Sequence, residues 1–251
     1  MENAPVIFIV GTNRAPTPEG RERIANWSKE AHRPLFMQDT WWGGMHDSLI
    51  LEKNNQYPEH LSLWFYENLD ARDKSLNDPG RLALVKDQVS LFEKYGAEFV
   101  WRAIYECVFG FRSGAIFSPM GKEATLAGRA PIIYLSALKL TTFIEKNYEE
   151  WFSHQAYETY IPLLMKLGGL RGYDFFRLVR NRPESELARE KDYPAFFSLL
   201  YFDDPASLEA YRKSAELAAM QSAIQAYFSG TLNVKWDVAY KLANFFRREM
   251  R

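Results

Sequence analysis

The 251-residue chain has a single cysteine, Cys107. No internal disulfide can form, and the paired thiolates of a CxxC metal site are missing. Such usage suits a reducing compartment, so a cytoplasmic location is expected. Long apolar runs are also lacking. Nothing approaches the ~20 residues that a membrane-spanning helix needs. The apolar stretch in the opening MENAPVIFIVGTNR is too short for a secretion signal. No membrane partner is expected. Neither sign of charge is in excess, since 31 basic and 32 acidic residues leave a formal net charge of −1. Nucleic acid needs concentrated positive charge to displace its counterions, so it is a poor partner. Histidine is scarce: 32, 46, 60 and 154 are scattered and form no HExxH or other zinc spacing. The chain also lacks a phosphate-cradling glycine loop and a G-x-S-x-G elbow. No cofactor and no metal are expected.

What the chain has in plenty is aromatic side chains, at 16% of residues. That is more than most cores use. It points to an aromatic-lined cavity or, equally, to an unusually aromatic core. The second abundance is internal similarity. APVIFIVGT at residue 4 matches APIIYLSAL at 130, and EAHRPLFM at 30 matches ETYIPLLM at 158. YPEHLSLWFYENLDA at 57 matches YPAFFSLLYFDDPAS at 193, and FVWRAIYECVFGF at 99 matches VKWDVAYKLANFF at 234. Four blocks in one order indicate a duplicated unit of domain size. The boundaries predicted are 1–110 and 131–251, joined by a glycine-bearing linker at 111–130.

Each unit opens with a run apolar on both alternating faces, Val6 to Val10 or Ile132 to Leu135, which predicts a strand covered on both sides. A helix follows. Ile24, Trp27, Ala31 and Leu35 recur at helical spacing, as do Ile144, Tyr148, Phe152 and Ala156. Pro34 and Pro162 are expected to interrupt these helices, and the glycine pairs 43–44 and 168–169 to open the next strand. Two further strands flank a second helix, clearest at 205–227. The order β-α-β-β-α-β is the split βαβ, ferredoxin-like unit. Its helices cover one sheet face and leave the other bare. The fold class is therefore α+β, two ferredoxin-like modules in one chain with sheets packed face to face as a pseudo-dimeric α+β barrel.

NWSKEAHRPLFM and the stretch 147–179, NYEEWFSHQAYETYIPLLMKLGGLRGYDFFRLV, carry a family resemblance. A Trp/Tyr-rich helix, an acidic residue, His, one residue, Pro, an apolar run, Gly and an Arg/Tyr-bearing strand resemble the dimeric α+β barrel superfamily. The EthD-like and antibiotic-biosynthesis-monooxygenase-like branches are the most similar. His32 stands at the family's histidine position, where the second half has Tyr160. The resemblance implies a small-molecule cavity between helix and sheet. It also implies enzymes ranging from cofactor-free monooxygenases to cyclases, isomerases and lyases.

Within that frame His32, two residues before Pro34, is the candidate proton-transfer group; its alternative role is to cap helix carbonyls. Asp47 is a candidate orienter of that imidazole, and Tyr105 a candidate general acid. Trp27, Trp41, Trp42, His46, Trp64 and Tyr66 are candidate substrate-binding residues. On the third strand His60, Ser62, Trp64 and Tyr66 share one side, which suits a pocket, while Leu61, Leu63 and Phe65 suit the inter-unit core. Trp101 and Tyr105 have repeat equivalents in Trp236 and Tyr240, which argues for packing over an acid role at Tyr105. Tyr157, Tyr160, Arg171, Tyr173 and Asp174 are candidates for a second pocket. The function expected is a cofactor-independent lyase, cyclase or isomerase acting by proton transfer on a hydrophobic aromatic or polyketide-like molecule. The alternatives are an oxidative enzyme, cofactor-free or haem-dependent with His154 as the second half's sole histidine, and a non-catalytic binding protein. The chain is expected as a monomeric pseudo-dimer or a homodimer.

Overall fold

Alternation along the first strand shows where the layers lie. Ile7 and Ile9 join one buried cluster, whereas Val6 and Phe8 join another. A strand buried on both faces must run between two layers. Here the layers are a barrel interior and a shell of helices.

The first module comprises β1 (Val6–Asn13), α1 (Pro18–Trp27), a π-helical turn (Ser28–His32), α2 (Arg33–Gln38), β2 (Trp42–Ile50), β3 (His60–Tyr66), α3 (Leu69–Leu76), α4 (Pro79–Tyr95) and β4 (Glu98–Arg112). After the short β5 (Ala115–Ile116) the second module repeats the order. It has β6 (Ile132–Lys139), α5 (Thr142–Trp151), a π-helical segment (Phe152–Tyr160), α6 (Ile161–Leu164), β7 (Leu170–Leu178), β8 (Phe196–Phe202), α7 (Pro205–Arg212), α8 (Ala215–Phe228) and β9 (Asn233–Arg247). This computed structural model describes residues 5–38, 42–52, 57–112, 115–116, 130–139, 142–180, 193–228 and 233–247. Most of the segment expected as a linker lies outside them, and its first residues belong to β4.

The strands run β1-β3-β2-β9-β6-β8-β7-β4, and β1 pairs with β4 to close the ring. The two sheets therefore do more than face each other. β2 of the first module pairs antiparallel with β9 of the second, and β7 of the second with β4 of the first. Closure leaves no free edge on these eight strands. The interior holds Ile7, Ile9, Leu61, Leu63, Trp101, Tyr105, Leu135, Phe197, Leu199 and Tyr240. The helices cover the outside, above Val6, Phe8, Trp64 and Tyr66 in one module and Tyr134, Phe175 and Phe196 in the other.

Duplication extends to single hydrogen bonds. Tyr105 Oη donates to the Pro194 carbonyl (3.0 Å), and Tyr240 Oη to that of Pro58 (3.2 Å). The Arg102 N–H donates to Tyr193 Oη, and the Asp237 N–H to Tyr57 Oη. Each module's Tyr-Pro turn thus seals the other module's last strand.

Three expectations need correction. Neither proline ends its helix. The chain widens into a π-helical turn instead, the Arg33 N–H bonding the Ser28 carbonyl and the Ile161 N–H that of Ala156. The extra residue gives the proline ring room where a tight i→i−4 ladder would collide with it. Gly43 and Gly44 lie inside β2, at a register shift, rather than before it. The helix expected at 205–227 is two helices, α7 and α8. Among the described residues no helix is long and apolar enough to cross a membrane.

Candidate functional site

β2 and β3 run antiparallel with Asp47 opposite Ser62 and Leu49 opposite His60. The register therefore sets Asp47, Ser62 and His60 side by side on one face of the sheet. That face looks toward α1, the π-helical turn and α4. Between them is a cavity of about 440 Å³. Its floor is Val10, Thr12, Met45, Asp47, Leu49, His60 and Ser62, and its roof includes Ile24, Trp27, His32, Arg33 and Phe92. The volume suits a small organic ligand.

Asp47 is the polar centre of the floor and is buried. Ser62 Oγ donates to its Oδ1 (2.9 Å), and His60 Nε2 forms an ion-pair contact with the same oxygen. In a neutral imidazole, a proton on Nε2 directed at Asp47 leaves the lone pair on Nδ1. Nδ1 points to Thr12 Oγ1 at 3.4 Å, a loose contact that a ligand can displace. The arrangement is that of an oriented imidazole base.

His32 sits on the roof between two indoles, its centroid 5.2 Å from that of Trp27 and 5.8 Å from that of Trp64. Burial lowers its pKa to about 3, the Arg81 guanidinium adds to the effect, and the Asp47 carboxylate opposes it only in part. Arg81 itself lies behind the aromatic wall, over the Trp64 and Tyr66 rings. His32 is therefore neutral at physiological pH. It can donate or accept a hydrogen bond but is too weak a base to hold an abstracted proton.

The cavity unites His32, Asp47 and Trp27 of the residues singled out from sequence. Trp64 backs His32 without lining the cavity. Tyr66 does not line it: it is fully buried beneath Arg72 and Arg81. Tyr105 belongs to the opposite face of the sheet, sealed in the barrel interior and committed to the Pro194 carbonyl, so it cannot act as an acid here. Trp41 lies outside the described residues, and of Trp42 and His46 only the backbone is described. His60 was placed on the pocket side of the third strand by sequence but was given no role there. Its place beside Ser62 on the polar side of β3 was the available signal; the register that brings it to Asp47 was not.

The second module has its own cavity, of about 410 Å³, between β6–β9 and the helices α5 and α8. Tyr134, Tyr148, Tyr173, Tyr211, Phe152, Phe175, Ser198 and Gln221 are among its lining residues. Of the second-pocket candidates only Tyr173 reaches it. Arg171 pairs with Asp203 at the surface, and Asp174 accepts from Tyr201. Tyr157 and Tyr160 pack on Phe109 and Trp151. Among the described residues no cluster of three or more His, Cys, Asp or Glu is placed to hold a metal ion.

No protein-family model matches the chain, and no curated protein matches it. Solved structures do. An anthrone oxidase-like protein superposes with a TM-score of 0.62 at 14% identity, covering 98% of this chain and 93% of that one. A presumed monooxygenase from Fusobacterium nucleatum gives 0.60 at 8% identity, covering 99% and 96%. A presumed chlorite dismutase gives 0.58 at 8%, covering 96% of each. At such identities the likeness concerns fold. With its closed eight-stranded ring and two helix-covered modules, the chain has the ferredoxin-like dimeric α+β barrel fold, built here from one polypeptide.

Proposed function

We propose that the chain is an oxidative enzyme needing no organic cofactor, acting on a hydrophobic aromatic small molecule bound in the first-module cavity. The observation that carries this reading is the His60–Asp47–Ser62 array facing a neutral His32 across an aromatic-walled cavity. His60 Nδ1 removes a proton from an activated methylene of the substrate. His32 hydrogen-bonds the oxygen on which the resulting charge delocalises, and Arg33 places a cation in the same lining. The carbanion's electron pair forms a C–O bond to dioxygen, and the peroxide oxygen takes the proton from His60. Loss of the remaining C–H proton with O–O cleavage yields a ketone and water. One methylene group and one dioxygen molecule thus become one carbonyl group and one water molecule.

The alternative among proton-transfer reactions is dehydration or isomerisation, which the same array supports. The oxidative reading is preferred because structures sharing the fold carry the names monooxygenase and anthrone oxidase-like. Haem, the other oxidative alternative read from the sequence, does not fit the residues present. Among the described residues no histidine or cysteine lines the second cavity, and His154 is exposed on its helix. In the first cavity the deep imidazole of His32 is flanked by two indoles.

Oxygen uptake with 1,8-dihydroxyanthrone as probe tests the proposal. One dioxygen should be consumed per ketone formed, and His60→Gln or Asp47→Asn should slow turnover by about 10²-fold or more. Uptake no faster than in buffer, or unchanged in both variants, would refute it. Conversion of a β-hydroxy ketone without oxygen would point to the dehydratase instead.

A further inference from the structure

The second cavity has diverged from the first in its chemistry. Where the first presents imidazoles and a buried carboxylate, the second presents phenols. Tyr148 and Tyr211 are each 3% exposed and line the cavity, and neither hydroxyl bonds any of the described residues. Burial pushes both phenol pKa values well above 10, so both hydroxyls keep their protons. Tyr173 and Ser198 bond each other. The Tyr134 hydroxyl is occupied by Asp237, the one carboxylate of the lining among the described residues.

Apart from Ser136, Gln221 and Gln225, the remaining wall is aromatic and aliphatic. Phe152, Phe175 and Phe196 lie nearly parallel, Phe152 and Phe175 with centroids 4.2 Å apart. Leu217, Met220 and Ile224 close the helix side. No lysine, arginine or histidine lines the cavity among the described residues. An anionic ligand would lose its hydration with no cation to replace it. A purely hydrocarbon ligand would cover two buried hydroxyls and leave them unbonded, at a cost comparable to a lost hydrogen bond each. The ligand that satisfies both constraints is uncharged, flat and rich in carbonyl acceptors.

We propose that this cavity is a separate binding site for a neutral, planar aromatic ketone or quinone of about three fused rings, a size that a pocket of this volume accepts. The Tyr148 and Tyr211 hydroxyls donate to its carbonyl oxygens, and the phenylalanines cover its rings. The site stands independently of the reaction assigned to the first cavity, since its evidence is a different set of residues.

Calorimetric titration of the full chain with 1,8-dihydroxyanthraquinone tests the assignment. Ile224→Trp, which fills the cavity, should remove one binding equivalent, and His60→Gln should leave that equivalent in place. The isosteric double variant Tyr148→Phe/Tyr211→Phe should weaken it about tenfold, two lost hydrogen bonds of ordinary strength. Anthracene, which has no carbonyl, should bind the double variant at least as well as the parent. Circular dichroism establishes that each variant is folded. The proposal is overturned if Ile224→Trp removes no equivalent or if the double variant binds the quinone unchanged. It is equally overturned if haemin binds with a shifted Soret band that Ile224→Trp abolishes, because the cavity is then a porphyrin site.

Discussion

At the scale of the residue, His32 carries the clearest consequence. Its imidazole is held neutral by burial and by Arg81, with a pKa near 3 against 6.5 in the unfolded chain. Between those values the unfolded state binds the extra proton and the folded state does not. Stability therefore rises with pH across this window and is lost as pH falls through it. The slope attributable to His32 approaches about 1.4 kcal/mol per pH unit in the middle of the range. Urea midpoints at pH 7 and pH 5 should differ for the parent, and His32→Gln should narrow the gap. An equal gap in the variant would remove His32 as its source. The same physics explains what was legible at this scale. The helix end that carries His32 and the strand that carries Asp47 were legible as cavity walls, but strand alternation offered His46 as readily as Asp47. That Asp47 serves His60 could not be read, because the partnership depends on which residues of β2 and β3 stand opposite each other. Nor could sequence show that burial holds the His32 imidazole neutral.

At the scale of the element, the strands and the covered helix faces followed from alternation and helical spacing, since both periods record which side is buried. The π-helical turns did not follow, because a proline within helical spacing reads as an ending unless tertiary packing holds the helix together past it. Their recurrence before Pro34 and Pro162 shows that both copies inherited one solution. The glycine pair ahead of β7 illustrates a requirement that sequence only hints at. Gly169 has φ of +80°, and a Cβ there would fall 2.0 Å from Ser207 Oγ on α7. Gly168 beside it has no atom within 4 Å of such a Cβ. Gly169→Ala should therefore cost roughly 1–3 kcal/mol through left-handed strain and the clash. Gly168→Ala should stay within about 0.5 kcal/mol, as an unhindered surface change does. Thermal unfolding of the two variants decides it, and equal midpoints would contradict the turn geometry.

At the scale of the whole molecule, duplication was legible from four matched blocks, but closure was not. Sequence similarity says that two sheets exist; it says nothing of the backbone groups through which β2 meets β9 and β4 meets β7. Those seams use most of β2 and β7 and the C-terminal halves of β9 and β4, and the exchanged Tyr-Pro contacts lock them from inside. A module on its own would expose two strand edges and one face of the barrel interior, which is a poor basis for independent stability. The two modules should consequently unfold together. Tyr105→Phe and Tyr240→Phe each remove one buried hydrogen bond at equivalent places, at about 1 kcal/mol apiece. Each should lower the denaturation midpoint by a similar amount while a single transition persists. Tryptophan fluorescence, with Trp27, Trp41, Trp42, Trp64 and Trp101 in the first module and Trp151 and Trp236 in the second, should report the same midpoint as far-ultraviolet circular dichroism. Separate transitions in either variant, or a midpoint shift confined to one substitution, would mean that the seams couple the modules less tightly than the shared ring of strands implies.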